Sequence, residues 1–365
     1  MFTGSCDHLS ISTFYASTNA SPIVILVFAA MVDYLIGDPK GWWHPVQGIG
    51  WMIAHSTRLA FSVLHSPFAL RCAGVVLGSS CILGSGLVGW LVVAIANRIQ
   101  PLLGTAIATI LLASCFAARS LRAAVADVLK PLAVGDLVNA RLCLSQYVGR
   151  DTDRLTAPDI LRALFETVTE NATDGVLAPL FYALVGAMLP GIGSVPLALA
   201  YKAASTLDSM VGYRDAPYTD IGWFSAKTED VLTWIPCRLA VLTIALLSRR
   251  PFHVWRLCQR DAPQDPSPNS GWSECAYAAA LNVQVGGINW YRGIAKPKPL
   301  LGDAVQPITA DTLDRALQLT RWSVLLWLTV FAIALQLWGV LSFELIEWSA
   351  SFSQPSALTP HESLE

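Results

Sequence analysis

Three carboxylates recur at intervals of four: Glu166, Glu170 and Asp174. On a helix that spacing stacks them on one face, with Arg162 four residues before the first. Like charges so placed repel unless a cation lies among them. A divalent ion shared between carboxylates and phosphate oxygens is one resolution. A solvated face paired to Arg162 is the other, and spacing alone does not choose between them. A second group follows an apolar stretch: Lys202, Ser205, Thr206, Asp208, then Tyr213-Arg214 and Asp220 to Asp230. Lys202 could clamp a phosphate or a carboxylate, or simply snorkel to an interface. Asp208 is an alternative metal ligand. Asn171 sits within the acidic group, and Asn282 lies far downstream of it. Two further candidates lie near the start: Asp33, and the Asp38 to His44 loop with Trp42 and Trp43. His44 would be a base or a structural residue, Asp33 a ligand or a helix-to-helix hydrogen bond.

The sequence around these groups is that of a membrane. Of 365 residues 54% are hydrophobic and only 14% charged, with mean hydropathy +0.50, whereas a soluble domain is about one quarter charged. Ionisable groups beside hydrocarbon are costly and mark function by default. The net charge of -2 gives no reason to expect nucleic acid. Eight cysteines show no ligand spacing and read as small apolar residues. No phosphate-binding glycine loop, dinucleotide fingerprint or zinc motif is present.

The elements that must position the candidates read as follows. Residues 1–20 and 351–365 are expected to be flexible tails of a single membrane-integrated domain. Residues 22–37 form a short, uncleaved first span. Residues 33–50 hold two prolines and four glycines, which predicts a structured loop. Residues 72–97 carry no charge and are long enough to span. Their Gly74/Gly78 and Ser85/Gly89 pairs suit close helix packing. Residues 102–118 form a third span. Amphipathic helices are expected over 117–129 and 135–147, the latter capped by Asp136. Thr156 followed by Pro158 predicts the start of the helix that carries Glu166 and Glu170. Residues 271–281 read as helix, and 322–341 as the last span.

Lys/Arg bias sets the expected topology. The 1–20 tail has none and lies outside; 119–175 holds seven and 248–321 nine, so these lie inside. The two weaker apolar segments, 176–200 and 231–247, are broken by Pro179, Pro190, Pro196, Pro236 and Arg238. Either both cross, or both dip in and are lined by protein. The second arrangement, favoured here, keeps Glu166 and residues 201–230 on one side. The expected class is an all-α, polytopic integral membrane protein with four to six membrane segments and a cytoplasmic helical portion.

Five ordered blocks resemble the CobD/CbiB family of cobalamin biosynthesis. They are Asp33-Tyr-Leu-Ile-Gly-Asp-Pro with Trp43-His-Pro-Val-Gln-Gly, then Glu166 through Tyr182, Tyr201 through Tyr213, Asp220 through Lys227, and Arg260 to Asn282. The resemblance implies adenosylcobinamide-phosphate synthase, an ATP-dependent ligase of the bacterial inner membrane. It joins the free propionate of adenosylcobyric acid to the amine of (R)-1-aminopropan-2-yl phosphate, or to aminopropanol. Such chemistry needs Mg²⁺, ATP and an activated carboxylate, and could bring other late-pathway membrane enzymes as partners. On this reading Glu166, Glu170, Lys202 and His44 are catalytic. Glu170, Asp174 and Asp208 hold the metal. Asp33, Asp38, Trp43, Asn171, Ser205, Thr206, Tyr213 and Asn282 contact substrate. Two other classes remain open: a transporter or corrinoid-binding protein, and a non-catalytic AmpE-like sensor. The first would show inverted repeats, and none is seen; the acids at 166, 170 and 174 argue against the second.

Overall fold

The computed structural model describes residues 21–37 and 45–352, with side chains up to residue 337. Asp38, Trp43 and His44 lie outside the described residues. Among the described residues, four stretches are long and apolar enough to cross a bilayer: Pro67–Ile99, Pro101–Ala133, Trp223–Leu247 and Ala310–Leu337. The chain is thus a multi-pass, mainly helical membrane protein. In order the helices are α1 (Pro22–Leu35), α2 (Pro45–Val63), α3 (Pro67–Ile99), α4 (Pro101–Ala113), α5 (Ala118–Ala133), α6 (Leu137–Leu144) and α7 (Ala157–Ala172). After a π-helical turn at Thr173–Leu177 come α8 (Ala178–Met188), α9 (Ser194–Val211), α10 (Trp223–Leu247), α11 (Pro251–Asp261), α12 (Ser270–Leu281) and α13 (Ala310–Phe352).

Helix starts follow the sequence signals closely. Asp136 accepts from the Asn139 amide. Thr156 and Asp159 form a reciprocal capping box, with Pro158 in the first turn of α7. The long α3 is the spine against which the site is built. It buries Gly74, Gly78, Gly86 and Gly89, which face Ile221, Phe224, Pro196 and Leu199 in turn. The small-residue stripe is as expected, except that Gly86 rather than Ser85 partners Gly89. A Cβ on Gly74 would lie 2.1 Å from the Ile221 carbonyl oxygen, which is backbone and cannot swing away. Gly74→Ala should therefore cost about 1–3 kcal/mol, read as a lower melting temperature of the detergent-solubilised protein.

Those contacts also settle how the broken apolar segment runs. Residues 190–193 turn beside Trp90, whose indole N–H donates to the Gly191 carbonyl (2.8 Å). Ile221 and Phe224, where α10 begins, lie instead beside Gly74 and Gly78, with the Val211 carbonyl that ends α9 against Gly222. So α8 and α9 form an antiparallel hairpin with α9 packed along α3, and both its ends return to one end of the bundle. Glu170, Lys202, Asp208 and Glu229 are brought together there. The 231–247 segment departs from the favoured arrangement: it does not dip in with 176–200 but is part of a continuous 25-residue helix through Pro236 that is long and apolar enough to cross. Its Arg238 guanidinium lies 5.1 Å from the Trp234 ring and 4.5 Å from that of Trp272 and donates to Asn269. A charge that looked misplaced in a span is thus covered by aromatic rings and one amide oxygen.

Three further parts of the chain depart from expectation. Residues 45–50 open α2 instead of a loop, and Pro251–Asp261 is a helix that the polar sequence did not announce. The third departure is a β-hairpin, β1 (Val285–Tyr291) antiparallel to β2 (Ile294–Leu301). Its two-residue turn, Arg292-Gly293, has positive φ at both positions (52° and 77°), as hairpins of this length favour. Pro297 and Pro299 obscure β2 as a strand; they are tolerated because it lies at an edge.

Candidate active site

The α7 face that carries Arg162, Glu166 and Glu170 is turned inward. Glu166 is 1% exposed. Its Oε1 accepts from Arg162 Nη1 (3.1 Å) and from the Gly286 amide (2.8 Å). Arg150 Nη2 lies 2.6 Å from Oε2. Asn289 Oδ1 accepts from Arg150 Nη1 (2.9 Å) and from Arg162 Nη1 (3.1 Å). The Asp151 carboxylate takes the Arg292 and Gly293 amides (2.9 and 2.7 Å). The pairing with Arg162 is therefore present, but on a buried face, and it serves to pin the hairpin onto α7. Burial alone would push the Glu166 carboxyl up. Arg150, Lys298 and Arg162, with the Gly286 amide, outweigh that and hold it below the usual carboxylate range.

The hairpin fixed in this way delivers Lys298. Its Nζ lies 2.6 and 2.8 Å from the two carboxylate oxygens of Glu274, a fully buried residue of α12. Burial would lower the lysine, yet Glu274, Glu166 and Glu170 keep it charged and above its ordinary range. Neither residue stood out in the sequence. Lys298 sits in a Lys-Pro-Lys-Pro run, and Glu274 is one acid in an alanine-rich helix. The signal that could have found Glu274 is its position on a helix otherwise small and apolar. Removing one partner of a buried pair strands the other. Lys298→Met should therefore lower the melting temperature, and Glu274→Gln added to it should restore most of that loss. Activity should not return in the double variant.

Glu170 lies between this pair and the second acidic group. Burial raises its carboxyl pKa, Lys298 opposes that, and Asp265 and Glu166 add to the rise. Asp174 occupies the π-helical turn, where Ser273 of α12 donates to the Thr169 carbonyl (2.7 Å) and meets the Thr173 hydroxyl (2.6 Å). Such turns recur at functional sites. Asp174 is within electrostatic reach of Glu229, Glu170, Asp208 and Lys202. Asp208 is in turn within reach of Asp230 and Glu170. The Glu229 carboxylate accepts from the Thr233 hydroxyl, which also meets Tyr201 Oη (2.8 Å). The loop after α9 closes the rim: Arg214 donates to the Pro266 carbonyl (3.2 Å), and Asp215 pairs with Lys296 (2.9 Å).

Several expected residues have other settings. Asp33 accepts from the Ala118 amide (3.0 Å), joining α1 to the start of α5. The Thr206 hydroxyl donates to the Lys202 carbonyl (2.7 Å), and the exposed Asn171 donates to the Thr167 carbonyl (2.8 Å). The Ser205 side chain is partly buried on α9. Tyr213 is exposed on the rim loop, its hydroxyl donating to the Ser209 carbonyl (2.9 Å). Asn282 is left-handed (φ 55°) and ends α12, with Oδ1 taking Arg250 Nη1 (2.6 Å). That is eight residues beyond Glu274, roughly 12 Å along the helix, so the fold sets it apart from the acids. The expected metal set also changes. Glu170, Asp174 and Asp208 are electrostatic neighbours, but among the described residues no three acids are placed to ligate one ion. A hard divalent cation would be held by one or two of these carboxylates with the rest of its shell from phosphate and water, which is the usual magnesium arrangement.

What is assembled here is an enclosed end of a helical bundle, rich in carboxylates with two lysines set against them. It can hold a cation, orient a phosphate and accept a proton. A family model described as CobD/Cbib protein matches residues 26–320. The chain is 50% identical over 312 residues to "Cobalamin biosynthesis protein CobD" of Synechocystis sp., covering 84% of this chain and 91% of that one. It is 39% identical over 320 residues to "Cobalamin biosynthesis protein CbiB" of Salmonella arizonae, covering 87% and 98%. It is also 39% identical to the CobD protein of Halalkalibacterium halodurans, covering 84% and 94%. No solved structure matches it significantly. A match of this extent, through every helix that builds the site, places the chain in the CobD/CbiB family of cobalamin biosynthesis proteins.

Proposed function

We propose that this protein is an adenosylcobinamide-phosphate synthase of the bacterial inner membrane, with its acidic site facing the cytoplasm. The single observation that carries the reading is the cluster at one end of the bundle, where Glu170 lies within electrostatic reach of Asp174, Asp208 and the Glu274-bound Lys298. The reaction joins a propionate of adenosylcobyric acid to the amine of (R)-1-aminopropan-2-yl phosphate. One carboxylate oxygen leaves with the γ-phosphoryl group of ATP, the amine nitrogen bonds to the carbonyl carbon, and ADP and phosphate are released. Bound Mg²⁺ would neutralise charge on the phosphoryl oxygens. Glu170 takes the proton that the ammonium must lose, a task suited to a carboxylate whose pKa is raised. Asp174 and Asp208 would supply carboxylate oxygens to such a cation. Lys298, held on Glu274, and Lys202, within reach of Asp174, orient phosphate oxygens. Glu166 is a positioning residue, acting through the hairpin that carries Lys298.

The test uses the full chain in detergent micelles with adenosylcobyric acid, ATP, Mg²⁺ and either aminopropanol or its phosphate. The expected result is one amide formed per ATP consumed, with the better amine identifying the acceptor. ATP left untouched in the presence of both substrates, or corrinoid moved across a vesicle membrane without change in mass, would replace this reading by a transporter.

A further inference from the structure

A long groove runs between α1 and α13 on the outside of the bundle, with a volume of 620 Å³. Its walls are almost wholly apolar: Val27 and Met31 on one side, Leu328 and Ala332 on the other, Phe116 and Leu180 beneath. From Ile23 to Tyr34 it extends eleven residues of helix, roughly 16 Å, enough to lay down a fatty acyl chain. One end alone is charged. There Arg321 Nη1 lies 3.5 Å from the Tyr34 hydroxyl, and the Arg122 guanidinium stands 3.6 Å from the centre of the Tyr34 ring. Arg122 also donates to the Tyr34 carbonyl. Its Nε is buried, and among the described atoms it has no hydrogen-bond partner. Asp33 lines the same end, but its carboxylate is turned to the Ala118 amide. The exposed Arg119 adjoins this end and donates to the Leu35 carbonyl.

Two arginines, one with an unused donor, therefore cap a chain-length apolar trough. We propose that this groove is a binding site for one anionic glycerophospholipid, with an acyl chain along α1 and α13 and the phosphate between Arg122 and Arg321. Charge complementarity selects the occupant: a neutral lipid would fill the trough but leave the arginine end unanswered. The charged end lies at the start of α5, the side of the bundle where basic residues accumulate. Anionic lipids and juxtamembrane arginines attract each other there.

The experiment reconstitutes the full chain in nanodiscs of equal phosphatidylglycerol and phosphatidylcholine, then weighs the lipid that remains bound after gentle release into the mass spectrometer. Phosphatidylglycerol should be retained at least five-fold over phosphatidylcholine. Arg321→Glu should erase that preference. Ala332→Trp, which fills the trough without touching charge, should remove the bound lipid. Ala30→Trp does the same from the opposite wall, so a folding failure in one filler leaves the other to decide. Equal retention of the two lipids overturns the proposal, as does a preference that survives Arg321→Glu or retention that survives the fillers. Cross-linking of a cysteine placed at Ala332 to residues 1–20 of the same chain, with lipid present, would also overturn it by naming a different occupant.

Discussion

Glu170→Gln should remove amide formation, by roughly 10²–10⁴-fold if the carboxylate is the base, while leaving the protein as stable as before or more so. The two halves of that result have one cause. The ionised Glu170 is half-buried near Asp265 and Glu166 and is only partly answered by Lys298. Its pKa in the folded protein is raised, so the fold binds its proton more tightly than the unfolded chain does. The cost is absent at low pH, appears as pH rises above the unfolded value of about 4.3, and is complete above the folded pKa. A neutral amide of the same shape never carries that cost. The gain in melting temperature of Glu170→Gln over the native chain should therefore widen as pH rises above the unfolded value and level off above the folded one. A variant that loses activity by loss of fold would instead melt lower at every pH. If Glu170→Gln kept near-normal turnover, the base would have to be sought elsewhere, beginning with His44.

Glu166→Ala should behave in the opposite way. It should destabilise the protein by roughly 3–5 kcal/mol, the usual penalty for stripping one partner from a buried ion pair. Here two arginines, Arg150 and Arg162, and the Gly286 amide would all be left facing a hole. Because this carboxyl is held below its usual range, its contribution is present above the unfolded pKa and is lost as pH falls through the folded value. The melting temperatures of native and variant protein should thus converge on acidification, as they do for Glu170→Gln, but with this variant below the native chain rather than above it. Proteolysis offers an independent reading, since β1 and β2 should become cleavable once they are no longer pinned to α7. An equally stable Glu166→Ala protein would mean the hairpin is held by Asp151 and Asn289 alone. The pair of variants separates positioning from chemistry within one turn of one helix.

That separation shows where sequence reasoning stops. Arg162, Glu166 and Glu170 share a helix face by spacing, and Thr156-Ala-Pro158-Asp159 announces where the helix begins. Which way the face points is not in the spacing. It depends on α12 and the hairpin, more than a hundred residues later, and these turn a face that could have been solvated into a buried one. Asn282 shows the same limit from the other side. It lies in a block shared with the family, yet its left-handed backbone ends α12, away from the acids.

By itself the sequence determined that this is a polytopic membrane protein. Apolar length and sparse charge are properties of composition, read by any bilayer regardless of fold. It also determined the helix caps and the glycine stripe on α3, because caps and small-residue spacing act within one or two turns. Its ordered motifs identified the family. Only the tertiary structure decided that residues 176–200 turn back at Pro190 to Gly193, so that Glu170, Lys202 and Asp208 meet at one end of the bundle. Only it brought Lys298 and Glu274 to that end. Burial and mutual repulsion depend on which charges are neighbours in space, and the chain assembles these neighbours from five separate segments.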